Sequence, residues 1–519
     1  MYRRCLLVAA LSAATLFSAP PPAKPKLVVL IAADQFRYDY LMRFRADYTG
    51  GLKQLQEQGA VFTNAFYDHF PTVTAVGHSV MLTGAMPSVS GIIGNEWHDR
   101  ASRLTVSSVS DGTVKLLGGL PDGRTGSSPR RLMVSTLGDE MKSAGRARKV
   151  IGLSMKDRAA ILPAGHMADA AYWFDPASGN LVTSGFYLSK LPEWVAKFNQ
   201  DKLADRWLGK EWTPFWGGAA FAKMPDKPGK AYYDAIYETS FGNELLLEFA
   251  LRAIDAEKLG QTGEMDLLTL SFSSNDAVGH DHGPDAPQVR DVSVLTDRAL
   301  ARLFDLLETR VGMKNILVVF TADHGVSPTP EQSLKRRIPA GRYSDAAIAT
   351  AAENALNALY GQAKWVVGRG SGGAIYLDHA LIKEKKLNLA QVQRAAAAAV
   401  RELPYVAHVY IREDMAAPAA ATGLVTRRVL NGFNYSRGGD VLVIQKPYWL
   451  AGKEGSGHST PYNYDAHVPV IFLGAGIRAG HYHASALVND IAPTLAAILE
   501  VEPPSGSMGR VLTEMLEAR

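Results

Sequence analysis

The sequence predicts an α/β protein: a mainly parallel sheet covered by helices on both faces, with a small α+β domain inserted into it. Three observations lead there. Short apolar runs are continuous rather than alternating, as in strands buried on both faces. Amphipathic stretches of helical period lie between them. Polar and acidic residues collect where the runs end, which is where open α/β sheets bind ligands.

The elements follow in order. The run from Lys26 to Ala33 ends in Asp34. Val150 to Ser154 runs into Lys156, Asp266 to Phe272 into Asn275-Asp276, and Ile316 to Thr321 into Asp323-His324. A fifth run, Val468 to Gly474, follows a His-rich loop. Gly51 to Gly59 is a short helix candidate. Ala286 to Val311 is a long one, with Val292, Leu295, Leu300 and Leu303 at helical spacing. Ile491 to Leu499 follows Asp490, a suitable N-cap. Two stretches break the rhythm. Residues 170–229 are rich in aromatics and turns and are expected to lie over the sheet as an insertion. Residues 336–439 carry helix, strand, helix and strand patterns (Ala346 to Leu359, Gly373 to Leu377, Leu389 to Leu403, Ala407 to Ile411) and are expected to form the inserted cap. The main domain is thus expected in two pieces, 24–335 and 440–519.

Composition narrows the class. The chain has 519 residues, 47% hydrophobic and 20% charged, ordinary for a soluble globular protein. The formal charge is only +4 and no long Lys/Arg run is present, so nucleic acid is not the expected partner. Arg3 and Arg4 precede an apolar run from Leu6 to Ala19 and a Pro-rich stretch. This pattern predicts a signal peptide over residues 1–23, cut between Ala19 and Ala23. The run is short for a membrane span, so the mature protein is expected in a bacterial periplasm or outside the cell, free of the membrane. The one cysteine, Cys5, lies inside that signal. Any metal site in the mature chain must therefore use His, Asp and Glu.

The acids and histidines at the strand ends supply such a set: Asp34, Asp276, His280, Asp323, His324 and His458. Singly, each reads more readily as a cap, a salt-bridge partner or a packed ring. Together they differ. Asp276 and His280 are close enough in sequence to converge on one ion, and Asp323-His324 directly follows a strand. Imidazole nitrogen with carboxylate oxygen is a zinc donor set. The segment from Pro71 to Ser79 offers a nucleophile, Thr74, whose hydroxyl a metal could activate, and a helix N-terminus there would favour a bound phosphate. The alternative for Thr74 is a plain N-cap.

At these residues the chain resembles a known family. Pro71 to Gly84 (PTVTAVGHSVMLTG) with Gly91 to Trp97 (GIIGNEW) is similar to the bacterial alkaline phosphatases of the phosphate-irrepressible type, which use threonine in place of serine. Lys156-Asp157-Arg158 looks like that family's Lys-x-Arg segment. Asp276-x-x-x-His280, Thr321-Ala322-Asp323-His324-Gly325, and His458 with Tyr464-Asp465-x-His467 resemble its metal motifs, in order. The resemblance runs from about residue 26 to about residue 480.

It implies an alkaline phosphatase-like fold and two zinc ions per subunit. One ion would be held by Asp34, Asp323 and His324 with Thr74, the other by Asp276, His280 and His458. Thr74 would attack phosphorus and form a phosphothreonine, with Asn95, Lys156 and Arg158 on the non-bridging oxygens. The expected substrates are small phosphate monoesters, and a monomer is expected. His467 and His282 are rivals to His458. A phosphodiesterase or nucleotide pyrophosphatase of the same superfamily is the nearest alternative. Lys156 and Arg158 argue against it, since two extra cations match a monoester dianion. A non-catalytic zinc-binding surface protein is the alternative of another class, and it should have lost a ligand or the nucleophile. Trp173, Phe174, Trp194, Trp207, Trp212 and Trp216 are expected to wall the cleft.

Overall fold

The structure is a computed structural model that describes residues 24–416 and 423–517. The predicted signal peptide and its cleavage site lie outside the described residues.

The strands of two sheets, in chain order, are β1 (Leu27–Ala33), β2 (Ala60–Phe62), β3 (Ser110–Leu117), β4 (Thr125–Ser127), β5 (Ala147–Ser154), β6 (Ala170–Asp175), β7 (Asn180–Ser184), β8 (Met265–Phe272), β9 (Ile316–Thr321), β10 (Val366–Gly370), β11 (Ala374–Leu377), β12 (Val406–Ile411), β13 (Val441–Gln445), β14 (Val470–Gly474) and β15 (Gly480–Tyr482). The main sheet has the order β15-β2-β14-β9-β1-β8-β5-β6-β7-β3-β4. Its centre, β9-β1-β8-β5-β6, is parallel. Strands β1, β8 and β9 are buried along their whole length, which is why they read as continuous apolar runs.

The principal helices are α1 (Gly51–Gln58), α2 (Thr74–Thr83), α3 (Asp157–Ala164), α4 (Ser240–Ala256), α5 (Ser274–His282), α6 (Pro287–Arg310), α7 (Asp345–Tyr360), α8 (Leu389–Arg401) and α9 (Ile491–Leu499). Helices α2, α3 and α9 pack as one group, and α1, α4, α5 and α6 as another. That is the two-layer cover the sequence predicts.

Three expectations need correction. The sheet is mixed rather than mainly parallel. The run at 468–474 forms β14, antiparallel to both β9 and β2, and the far edge beyond β6 is antiparallel too. An apolar run reports burial, which both strand directions share. Next, the stretch 170–229 does not simply lie over the sheet. It opens with β6 and β7, two of the sheet's own strands. Its aromatics pack inward: Trp173, Phe174, Trp207 and Trp212 are buried in the cores, Trp194 packs on Phe249, and Trp216 is exposed. None of the six lines the cleft described below. Apolar area gains most from a dry core, so burial is the default fate of such rings.

The third correction concerns the cap. Its sheet has the order β10-β11-β13-β12, and β13 lies past the expected boundary at 439. A short pair, Gly341–Tyr343 with Trp449–Ala451, closes the unit further out. Helices α7 and α8 bury Ile348, Ala352, Leu356, Val392, Ala396 and Val400 against this sheet.

Candidate functional site

Strand register sets the site. Ala33 lies opposite Phe272, Ala32 opposite Thr321, and Ser271 opposite Ser154, so β1, β5, β8 and β9 end level. Asp34, Lys156, Asp276 and Asp323-His324 follow those ends and are thereby brought to one edge. Asp34, Asp323 and His324 are fully buried, and Asp276 nearly so. Lys156 Nζ donates to Asp34 Oδ2 at 3.0 Å and to Asp276 Oδ2 at 2.6 Å.

The three histidines are oriented alike. Nδ1 of His280 faces Ser456 O at 2.9 Å, that of His324 faces Gly325 O at 2.9 Å, and that of His458 faces Thr72 O at 2.7 Å. A carbonyl oxygen only accepts, so each Nδ1 carries a proton; burial keeps the His324 and His458 rings neutral with a bare Nε2, whereas at His280 Asp276 outweighs burial and raises the ring to about 9. Those nitrogens converge. His458 Nε2 lies 3.1 Å from His280 Nε2, and the His324 and His458 rings stack with centroids 3.5 Å apart. His324 Nε2 and Asp323 Oδ2 are buried without a hydrogen-bond partner among the described residues. Close-set ring nitrogens beside orphaned buried acceptors call for cations, and the donor set fits divalent metal ions.

Electrostatics agree. Burial penalises the charge on Asp276, yet Lys156 and His280 outweigh it and hold that carboxyl well below the usual range. Burial likewise opposes Asp34, and Lys156 again prevails. Asp323 goes the other way: burial and the nearby Asp34 push it up. Burial lowers His324 to about 4, and burial with the neighbouring His324 and His280 rings holds His458 well below its ordinary value. The neutral His324 and His458 rings beside carboxylates suit a metal site, and a metal bound at His280 would displace the proton that Asp276 holds there.

By proximity, the ligand atoms fall into two groups, Asp276 with His324 and His458, and Asp34 with His78 and Asp323. His78 is not a free ligand, however. Its Nδ1 meets Thr74 O at 2.9 Å and its Nε2 meets Ser271 Oγ at 2.8 Å, while Ser271 donates to Asp34 at 2.6 Å. The ring is a strut between helix α2 and strand β8, beneath Asp34.

Thr74 is the first residue of α2. The cap position is Val73, with extended backbone, and no side chain caps this end. The plain N-cap reading of Thr74 is therefore excluded. Its side chain makes no hydrogen bond among the described residues, although the residue is only 2% exposed. Asn95 Oδ1 accepts from Ala75 N at 2.8 Å, which fixes the carboxamide at the helix start and leaves Nδ2 to donate. Gly77 lets α2 press on the metal-ligand loop, since a Cβ there would sit 2.1 Å from Asp323 O.

Arg158 lies in the first turn of α3. Among the described residues its buried Nε has no partner, its one ion-pair contact is Asp157 at 3.9 Å, and it hydrogen-bonds to none of the other candidates. The rival His467 lies elsewhere, stacked between Tyr38 and Phe66 with Nε2 on Thr63 O. His282 is exposed at the end of α5.

Several partners escaped the sequence reading. Gln35 links two acids: its N–H donates to Asp323 Oδ1 at 2.9 Å and its Nε2 to Asp276 Oδ1 at 2.8 Å. Asp465 accepts from Thr460 N and Thr460 Oγ1, and Thr460 is paired with Thr72, whose carbonyl orients His458. Asp465 sits in a motif the sequence displays. His78 sits one helical turn after Thr74. Gln35 carries no signal beyond following Asp34.

Comparison with known proteins gives a consistent result. A family model described as type I phosphodiesterase / nucleotide pyrophosphatase matches residues 28–467. Alkaline phosphatase PhoV of Synechococcus elongatus is 34% identical, over 95% of this chain and 94% of its own. Alkaline phosphatase PafA of Elizabethkingia meningoseptica is 33% identical over 95% of each chain. The crystal structure of wild-type alkaline phosphatase PafA superposes with a TM-score of 0.87 at 32% identity, covering 96% of this chain and 100% of that one. A variant of PafA altered at one threonine, one asparagine, one lysine and one arginine gives the same TM-score.

Proposed function

The chain belongs to the type I phosphodiesterase / nucleotide pyrophosphatase family and, within the alkaline phosphatase superfamily, to the bacterial threonine-type alkaline phosphatases; from that premise we propose that it hydrolyses phosphate monoesters through a phosphothreonine at Thr74 with the help of two zinc ions. As an alkaline phosphatase it is a phosphoric monoester hydrolase.

The observation that carries the reading is the convergence of His280, His324 and His458 on Asp276 beside the buried Asp34 and Asp323, with helix α2, which begins at Thr74, pressed against Asp323. Asp34, Asp323 and His324, with Thr74, would hold one ion, and Asp276, His280 and His458 the other. When bound, paired zinc ions supply Lewis-acid charge to the attacking and leaving oxygens of an in-line displacement.

The chain's own residues do the rest. Thr74 Oγ1 forms a bond to phosphorus as the ester P–O bond breaks and the leaving alcohol departs. Water then attacks the phosphothreonine, releasing phosphate and restoring the hydroxyl. Asn95 Nδ2 and the first N–H groups of α2 face a developing phosphoryl charge. Lys156 and Arg158 add cationic charge for the third non-bridging oxygen, which a diester replaces with an organic group. The substituted threonine and asparagine of the PafA variant are as far apart in sequence as Thr74 and Asn95, and its lysine and arginine are two apart, as Lys156 and Arg158 are. That spacing supports the assignment.

Two further points belong to this reading. Residues 1–23 direct export to the periplasm or beyond. Among the described residues no helix is long and apolar enough to cross a membrane. The unit from about 341 to 451 acts as a cap over the site, and small phosphate monoesters are the partners of a monomeric enzyme.

The test is hydrolysis of p-nitrophenyl phosphate and bis-p-nitrophenyl phosphate by the zinc-loaded wild type and Thr74→Ala. A monoester preference that disappears in Thr74→Ala is expected. A diester preference would overturn the role given to Lys156 and Arg158.

A further inference from the structure

A cleft of about 520 Å³ opens beside the site. On one wall stand Asn95, His280 and His458, and on the other the edge of the cap. The two walls are joined. Ser371 Oγ accepts from Asn95 N at 3.1 Å, and a Cβ on Gly94 would lie 2.7 Å from Ser371. The turn that brings Ser371 there uses Gly372 and Gly373, both with φ +71°. At Gly372 a Cβ would also strike Phe70, so only glycine serves. The cap edge is therefore part of the substrate site.

In an in-line displacement the leaving oxygen departs on the side opposite Thr74. On the reading given above, that is the side of His280 and His458, and both line this cleft. The cleft is the leaving group's space. Two residues before Ser371, on β10, the exposed Arg369 faces into it. Its guanidinium makes no hydrogen bond or ion pair among the described residues. Five donors in a planar fork match a carboxylate or phosphate. Two acids share the cleft. Asp345 interacts with Arg369 only at a distance and is faced by the Tyr343 hydroxyl. Glu96 stands on the opposite, catalytic wall.

We propose that Arg369 selects phosphate monoesters whose leaving group carries a carboxylate or a second phosphate. The inference rests on the monoesterase reading and names the substrate class of that same site. Arg369 acts on the far end of the leaving group and not on the reacting phosphorus.

The experiment compares phenyl phosphate with 4-carboxyphenyl phosphate, using zinc-loaded full chain. Taking the ratio of the two kcat/KM values within each enzyme, then comparing enzymes, cancels the intrinsic reactivity of the esters. Arg369→Ala is expected to lower the carboxylated-to-plain ratio about two- to fivefold, the scale of an exposed ion pair. Arg369→Glu is expected to lower it further. A ratio that stays constant in both variants, or rises, overturns the proposal, the latter by showing that Asp345 and Glu96 set the field. If wild type hydrolyses neither ester, the monoesterase reading fails and Arg369's role goes with it. If it hydrolyses both with a constant ratio, only Arg369's role fails.

Discussion

Replacing Lys156 with methionine keeps the length of the side chain and removes its charge. Lys156 Nζ contacts Asp34 at 3.0 Å and Asp276 at 2.6 Å, with the side chain only 8% exposed. Asp323 is buried in the same centre. No other Lys or Arg among the described residues is ion-paired with these acids. Burial works against the ammonium, but Asp276 holds its pKa well above the ordinary value. Removing one partner of a buried pair leaves an uncompensated charge and costs about 3–5 kcal/mol. Bound divalent cations would neutralise the same carboxylates, so in the loaded protein the loss should shrink to about 1 kcal/mol, the worth of an ordinary hydrogen bond. Denaturant titration of wild type and Lys156→Met, each in chelator and in excess zinc, measures both numbers. The difference, about 2–4 kcal/mol, must reappear as tighter zinc binding by the variant, because the two equilibria are linked. A variant as stable as wild type in chelator would refute the reasoning. So would an equal loss with and without zinc, since the charge compensation would then not be shared with the metal.

Three more expectations follow from the same geometry. Thr74→Ser keeps a hydroxyl at the helix start and should retain activity within about tenfold, whereas Thr74→Ala should lose at least about a thousandfold; acid-quenched enzyme should carry a phosphoryl group at residue 74 by peptide mass, and a phosphoryl group found elsewhere would rule Thr74 out as nucleophile. Asp465→Ala breaks the anchor of Thr460 and, through Thr72, of His458, and should weaken metal affinity about 10- to 100-fold in chelator competition; Asp465→Asn keeps an acceptor oxygen and should recover most of it. At Asp111 burial opposes ionisation, but hydrogen bonds from Thr113 and Ser128 outweigh it and lower the pKa from 3.8 to about 2. The folded value lies below the unfolded one, so its stabilisation is complete above about pH 4 and is lost as pH falls towards 2; the melting-temperature gap between wild type and Asp111→Asn should close across that window, and a gap that persists at pH 2 would contradict the assignment.

The sequence by itself determined which side chains are chemically able to form the site and where they lie along the chain. Strands β1, β5, β8 and β9 were legible because burial on both faces leaves continuous apolar runs, and the residues after them were legible as candidates because their chemistry is local. Helices α6 and α9 were legible from their period, but Asp490 does not cap α9 with its side chain, whose carboxylate accepts from Leu487 N and Arg510 N instead. Strand direction was not: β14 reads like β9 but runs against it, since hydropathy records burial and not orientation. The domain boundary at 439 failed because β13 is covered by the cap on the same terms as a strand of the main sheet. The choice of His458 over His467 rested on motif order, while the geometry gives it a cause: one ring turns a bare Nε2 towards Asp276 and the other is clamped between two aromatic rings. The roles of Gln35, His78 and Asp465 became visible only in three dimensions. Each acts through hydrogen bonds to residues far away in sequence, and a one-dimensional pattern holds no record of which distant donors and acceptors a fold will bring within 3 Å of one another.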